Sequence, residues 1–284
     1  MRILHLDSGR EMRGGQWQAL RLHRGLLGLG HESVLLAREG SPLLAMAGCE
    51  TLRPLRLGQM SRGFDIVHAH DARSHTLGAL FARAPLVVSR RVAFPVKDSV
   101  LSRWKYGRAA KFLAVSRFVA TELKRAGVRE ERISVVSDGV PIPEEAARGD
   151  AILAPYTLDP AKGMELAEAA AVKAGVALHH SADLEADLPR ARALVYLSRS
   201  EGLGSGILLG MAHGVTVIAS RVGGIPELIE DGVNGILVEN ELDAVAAAFG
   251  RIEARLGQAA RAIAIQRFSE KRMVTATVEA YEAC

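Results

Sequence analysis

ALVYL (residues 193–197), SRSEGLGSG (198–206), ILLGMAH (207–213) and VTVIA (215–219) follow one another without a break. The two outer runs are almost wholly apolar, as strands buried on both faces of a sheet are. Between them lie a loop of small residues and a stretch of helical character. Strand, helix and strand in that order make a right-handed crossover between parallel strands. Small residues at a helix start let backbone N–H groups close on an anion, and the helix dipole favours the charge. Glu201 in the loop is placed to accept hydrogen bonds from hydroxyls. A carboxylate beside a phosphate site suits a polyol such as a sugar.

The same alternation extends both ways. Upstream strands are expected at Ile3–Leu6, Ser33–Ala37, Asp65–Ala69, Leu86–Ser89, Phe112–Val115 and Ile133–Val136, with helical stretches such as Gln16–Leu29 and Arg73–Ala84 between them. Further strands are expected at Ile152–Ala154, Val176–His179 and Gly235–Val238. Strands alternating with helices give an α/β fold built on parallel sheets. Its 284 residues suggest two domains. The segment SDGVPIPEEAARGD (137–150), with two prolines, two glycines and a charge cluster, reads as their connection. We expect one domain over 1–147, a second over 148–265 and a closing helix over 266–284.

With 49% hydrophobic and 24% charged residues, the chain is globular, not disordered. No run approaches the ~18 apolar residues of a membrane span. MRILHLDSGR at the start has no long apolar segment or cleavage site, so no signal peptide is expected. Cys49 and Cys284 have no metal-ligand spacing and are too few for a disulfide framework. A reduced, cytoplasmic compartment follows as the expectation. Residues 1–147 carry 23 Lys and Arg against 14 Asp and Glu, a balance of +9, and residues 148–284 carry 13 against 18, a balance of −5. A basic half suits a polyanionic partner, either nucleic acid or the anionic face of a membrane.

Open α/β sheets bind ligands outside the carboxyl ends of their strands. Four further loops lie at such ends. DSGREMRGG (7–15) carries Gly14 and Gly15 into a helix and lacks both the dinucleotide fingerprint and a Walker lysine. DIVHAHD (65–71) ends a strand on His70, within reach of a ligand, while His68 reads as a satisfied core residue. Lys162-Gly163 opens a helix, where a lysine neutralises phosphate. RVGGIPE (221–227) is a second Gly-rich loop, with Pro226 suited to a first helical turn and Glu227 closing it.

Together these stretches resemble the retaining family 4 glycosyltransferases of the GT-B fold (glycosyl transferases group 1). The block from Ser198 to Val238 carries the resemblance, supported by Gly14-Gly15, DIVHAH, AVSRFVA (114–120), VSDGV (136–140), PAKG (160–163) and FSEKRM (268–273). The resemblance implies two Rossmann-like domains facing across a cleft that closes over the donor, with a C-terminal helix crossing back to the first. It implies an acceptor on the N-terminal half and a nucleotide-sugar on the C-terminal half. Transfer would retain the anomeric configuration, would need no metal and no cofactor beyond the donor, and would serve cell-envelope polysaccharide or lipopolysaccharide synthesis. By position, Glu201 would contact donor-sugar hydroxyls, Lys162 would stabilise the leaving diphosphate, and His70 would sit near the transferring sugar. Gly14, Gly15, Arg199, Gly202, Leu203, Gly204, Ser205 and Glu227 would line the donor.

Two positions depart from the family. Its second motif carboxylate falls at Leu209, and its diphosphate-binding arginine falls at Thr157. Arg199, Arg117 or the Arg90-Arg91 pair are the candidate replacements. The second domain also resembles a shortened version, with room for only two strands between Lys162 and Glu201. These departures motivate an alternative, a weak or inactive relative that binds or scaffolds. Arg103, Trp104, Lys105, Tyr106, Arg108 and Lys111 interleave basic and aromatic residues, which suits the inner face of an anionic membrane. Nucleic acid is not expected once the family is recognised. The acidic run Asp183–Asp187 reads as a solvated helix start rather than a metal site.

Overall fold

The computed structural model describes the chain from Met1 to Cys284, apart from the side chain of Ala47. The chain divides into two compact units. One comprises Met1–Gly139 and Glu270–Cys284, the other Val140–Ser269.

The first unit runs β1 (Arg2–Asp7), α1 (Gly14–Gly28), β2 (Glu32–Ala37), α2 (Pro42–Ala47), β3 (Glu50–Thr51), α3 (Pro54–Met60), β4 (Ile66–Ala69), α4 (Ala72–Phe81), β5 (Leu86–Arg90), α5 (Val100–Arg108), β6 (Lys111–Ala114), α6 (Arg117–Arg125) and β7 (Ile133–Val135). Its seven strands lie in the order β3-β2-β1-β4-β5-β6-β7, all parallel. The chain winds outward from β1 to β3, then returns to β4 on the other side of β1. The crevice between β1 and β4 is therefore the switch point, where a ligand loop is expected. The second unit runs β8 (Ala151–Pro155), α7 (Met164–Ala174), β9 (His179–Ser181), α8 (Leu184–Asp187), β10 (Ala191–Tyr196), α9 (Ser205–His213), β11 (Thr216–Ser220), β12 (Ile236–Val238), α10 (Leu242–Phe249) and α11 (Ala254–Arg267). Its strand order is β12-β11-β10-β8-β9, again all parallel. Here the switch point falls between β8 and β10.

Both cores are the expected apolar strands sealed by helices. In the first unit Ile3, Ile66, Val87 and Leu113 pack with Leu22 and Leu26 of α1. The last helix, α12 (Glu270–Glu282), adds Met273, Val274, Ala280 and Tyr281 to that cluster. A fully buried Val or Met contributes roughly 1.5–3 kcal/mol, so this face holds the tail to the first unit. In the second unit Ile152, Val195, Ile218 and Ile236 pack beneath α7 and α10.

The first unit stops at Gly139, eight residues before the expected boundary at 147. The intervening backbone is bound to the second unit: Val140 N–H donates to the Phe268 carbonyl and Ala147 N–H to that of His213. The closing segment that joins the first unit starts at Glu270 rather than 266 for the same reason. The strand expected at Val176–His179 forms at His179–Ser181, because Val176 and Leu178 pack against the core from an irregular segment. The short elements α2, β3 and α3 were not foreseen; two residues of strand and one or two helical turns leave too little periodicity to read.

Candidate active site

Lys162 and Glu201 meet at the switch point of the second sheet. Lys162 ends the turn after β8, and Glu201 lies in the loop after β10. Lys162 Nζ stands 2.6 Å from Glu201 Oε2, with the lysine 34% and the carboxylate 15% exposed. The hydroxyl of Tyr196, the last residue of β10, donates to the same oxygen at 3.2 Å. Burial first, then the adjacent Glu201 charge, holds the Tyr196 phenol protonated well above its usual range.

The loop carrying Glu201 is braced from three sides. Arg199 N–H donates to the Ala161 carbonyl at 2.8 Å, which ties the loop to the Lys162 turn. Ser198 N–H donates to Ser220 Oγ, whose hydroxyl donates to Asn240 Oδ1, and Asn240 Nδ2 donates back to the Ser198 carbonyl. This closed ring joins the loop to the ends of β11 and β12. Gly224 N–H donates to the Glu201 carbonyl at 3.0 Å. That approach requires glycine at 223, where φ is +56° and a Cβ would lie 2.0 Å from the Glu201 carbonyl oxygen. Gly202, Leu203 and Gly204 are buried behind Glu201, and Gly204 leads into Ser205 at the start of α9 without a side-chain cap. The first turn of α9 thus keeps N–H groups for a ligand.

A cavity of about 280 Å³ opens beside this pair, lined by Thr157, Asp159, Gly163, Met164, Ser198, Arg199 and Asn240. It lies over the start of α7, which also has no side-chain cap. Arg199 is among the residues that line the cavity, and its guanidinium makes no hydrogen bond or ion pair among the described residues. Thr157 accepts the Asp159 N–H at 3.1 Å and supplies no charge. Leu209, one turn beyond Ser205 on α9, is half-buried, and its carbonyl accepts from His213. Glu227 sits half-buried in the short turn after the second Gly loop.

The switch point of the first sheet gathers the other candidates. Gly14 and Gly15 begin α1, whose first turn again lacks a side-chain cap, and space is open around Gly15. Asp7 closes β1. Its buried carboxylate accepts Gly9 N–H at 2.8 Å and Gln16 Nε2 at 3.1 Å, pinning the loop to the helix. Burial raises its pKa, and the Gly9 bond opposes the shift. Asp71 caps α4 and takes the Ser8 N–H and hydroxyl, both at 2.7 Å. Burial disfavours its charge, but bonds from Ser74 and Ser8 prevail and keep its pKa low.

His70 is 5% exposed, and its Nε2 lies 2.9 Å from His5 Nδ1. His68 is wholly buried, with Nδ1 on the Tyr281 hydroxyl at 2.6 Å and Nε2 on Ser89 Oγ at 2.8 Å. It is a satisfied core histidine. His5, His68 and His70 bring ring nitrogens within 4.8 Å of one another, the one such grouping among the described residues. Both His68 nitrogens are already bonded, so a metal there would displace Tyr281 or Ser89. Burial lowers the pKa of all three rings, His5 to about 3. Sequence reasoning missed His5 and Tyr196, each hidden within an apolar strand.

The basic cluster divides. Arg103, Trp104 and Arg108 are exposed, and Trp104 faces outward. Tyr106 stacks on Phe112 with centroids 5.2 Å apart and takes a bond from Arg90, and Lys105 lies half-buried against Thr76. Lys111 does not belong to this surface. It opens β6, is 7% exposed, and its amine donates to the Ala283 carbonyl. No helix among the described residues is long and apolar enough to cross a membrane.

A family model described as Glycosyltransferase Family 4 matches residues 12–143, and one described as Glycosyl transferases group 1 matches residues 158–254. Together they take in more than half of the chain, one in each unit. The chain belongs to the GT-B glycosyltransferases. The chain is 39% identical over 100 residues to a D-inositol 3-phosphate glycosyltransferase of Streptomyces griseus, a match covering 33% of this chain and 21% of that one. The matched stretch is thus about a fifth of that relative's length. Anabaena HepE, solved with UDP and glucose, superposes with a TM-score of 0.85 at 18% identity over 100% of both chains. The lipopolysaccharide outer core galactosyltransferase WaaB superposes with a TM-score of 0.74 at 14% identity, over 100% of this chain and 99% of that one. These two likenesses establish the fold of this GT-B chain.

Proposed function

We propose that this chain transfers a sugar from a nucleotide-sugar to a glycan or lipid-linked acceptor, with retention of configuration, in assembly of the cell envelope. The observation that carries the reading is the Lys162–Glu201 pair at the switch point, next in the chain to Gly163 and two residues from Arg199, both of which line a cavity. Glu201 takes hydroxyls of the donor sugar. Lys162 stabilises charge as it develops on the departing diphosphate, so the chemistry needs no metal. The bond from the anomeric carbon to the diphosphate breaks, the acceptor oxygen bonds that carbon on the same face, and the acceptor proton leaves with the diphosphate. Arg199 supplies the diphosphate cation that Thr157 does not. Gly202, Leu203, Gly204 and Ser205 bring the start of α9 to the donor, with Glu227 and Leu209 at its rim. Gly14, Gly15 and His70 stand at the switch point of the first sheet, where that unit is expected to take its own ligand. The UDP and glucose held by HepE and the lipopolysaccharide outer core in the name of WaaB support the donor and acceptor classes.

The acceptor side works at the anionic inner face of a membrane, in a cytoplasmic enzyme. The observation behind this is α5, a helix with no buried residue that exposes 76% of Val100, 68% of Leu101 and 41% of Trp104. Phe94, 64% exposed, extends the apolar surface, and Arg103 and Arg108 supply cations. Apolar side chains with flanking cations bind anionic bilayers through both terms. Vesicle flotation tests it: binding should need anionic lipid and fall in Leu101→Ser with Trp104→Ala. Equal binding to neutral vesicles would remove the idea.

One observation favours the alternative of a binding or scaffolding relative. Leu209 is apolar where the family carries its second carboxylate. The deciding experiment incubates the protein with UDP-, GDP- and ADP-sugars and a membrane lipid extract, then reads the product's anomeric protons by NMR. The reading expects the donor's configuration in the product. Inverted product would overturn retention, and no product with any donor would favour the scaffold.

A further inference from the structure

Tyr196 places a phenol hydroxyl against the Lys162–Glu201 pair. It closes β10 at the carboxyl edge of the second sheet. Its hydroxyl makes one hydrogen bond among the described residues, to Glu201 Oε2 at 3.2 Å. Lys162 bonds the same oxygen at 2.6 Å and lies 5.9 Å from the centre of the Tyr196 ring. Two donors therefore share Oε2, while no bond is drawn to Oε1. The ring is also tightly seated. A Cβ at Gly206 would lie 2.6 Å from Tyr196 Cε2, so the α9 helix passes against the ring only because residue 206 is glycine.

A bound donor substrate acts on these two donors differently. An ammonium paired with a carboxylate at 2.6 Å is drawn toward a diphosphate, which carries more negative charge than one carboxylate. Glu201 would then lose its stronger partner as it must hold the sugar. The Tyr196 hydroxyl has no such competitor, because a neutral phenol is not drawn to the diphosphate as an ammonium is and its ring is fixed against α9.

We propose that Tyr196 is a positioning residue: it holds Glu201 Oε2 when Lys162 leaves for the diphosphate, and so keeps Oε1 for the hydroxyls of the donor sugar. This rests on the donor-site reading above. It predicts that Tyr196 contributes to recognition of the sugar and not of the nucleotide. A hydrogen bond to a charged group is worth enough for about a tenfold effect.

The test is calorimetry of wild type and Tyr196→Phe with three pairs of probes: UDP and UDP-glucose, GDP and GDP-mannose, ADP and ADP-glucose. For the pair that wild type binds, the variant should bind the nucleoside diphosphate within twofold and the sugar conjugate about tenfold more weakly. Adding Tyr196→Phe to Glu201→Ala should cause no further loss, because the two act through one bond. Equal loss for both members of the pair, or no loss for either, overturns the positioning role while leaving the donor site standing. Failure of wild type to bind any conjugate overturns the donor-site reading and this inference with it.

Discussion

Replacing Gly223 with alanine should damage stability and donor use together, and by amounts the geometry sets. Residue 223 has φ of +56°, a left-handed conformation that costs a side-chain-bearing residue about 1–2 kcal/mol. Its new Cβ would start 2.0 Å from the Glu201 carbonyl oxygen, and real contacts begin near 3.0 Å, so backbone must part by at least 1 Å. That movement stretches the Gly224 N–H bond to Glu201, worth about 1 kcal/mol. The total is roughly 2–3 kcal/mol, or a Tm lower by about 5–10 °C. The same movement shifts Glu201 against the donor, and a misplacement of about 1 Å costs on the order of 100-fold in rate. Gly232→Ala is the control. Its φ of +76° brings the same strain, but only Arg251 Nη2 at 3.9 Å is near its Cβ. It should lose about 1–2 kcal/mol and keep its kinetics. The assay is thermal unfolding with steady-state kcat/KM for the donor. If Gly223→Ala keeps kcat/KM within twofold, the claim that this loop sets the position of Glu201 is refuted.

Three further outcomes follow from the same structure. The first unit should lose stability as pH falls below about 6.5, because burial lowers the folded pKa of His5 and His75 to about 3. The unfolded chain takes up those protons first, so each ring costs about 1.4 kcal/mol per pH unit between 6.5 and 3; a Tm that stays flat from pH 7 to 5 would contradict this. Arg199→Ala should weaken nucleoside diphosphate binding about tenfold by calorimetry, and Thr157→Arg in that background should restore part of it; unchanged affinity would remove Arg199 from the site. Asp138→Ala should destabilise the first unit by about 3 kcal/mol in urea titration, since it strands Arg91, which is 16% exposed and paired with Asp138 at 2.9 Å.

The strands were legible because both sheets are parallel and buried on both faces, so apolar runs such as those at 193–197 and 215–219 stand out. The loops at their carboxyl ends were legible too, since glycines mark close approach and lysine and glutamate have few reasons to sit there. Three things were not. Tyr196 reads as one more β-forming residue, and nothing in its neighbours announces a hydrogen bond five residues ahead. His5 meets His70 only because β1 and β4 are neighbours in space, 65 positions apart in the chain. Lys111 follows the basic cluster by three residues, but a strand begins there, and the strand carries its amine inward to the C-terminal helix. In each case a tertiary partner decides the role, and composition holds no trace of it.

Glu201 and Lys162 as the donor site is the claim on which the rest depends, and thermal unfolding with nucleotides tests it most directly. UDP, GDP, ADP and CMP, with their common sugar conjugates, would be added to wild type, Glu201→Ala and Lys162→Ala. A ligand at about 100 times its Kd stabilises by roughly 2.7 kcal/mol, a rise of several degrees. The account predicts that one nucleotide and its conjugates raise the Tm of wild type by that amount. It predicts that Lys162→Ala loses the shift with both, and that Glu201→Ala loses the extra increment brought by the sugar. No shift with any nucleotide, or full shifts in both variants, would contradict it.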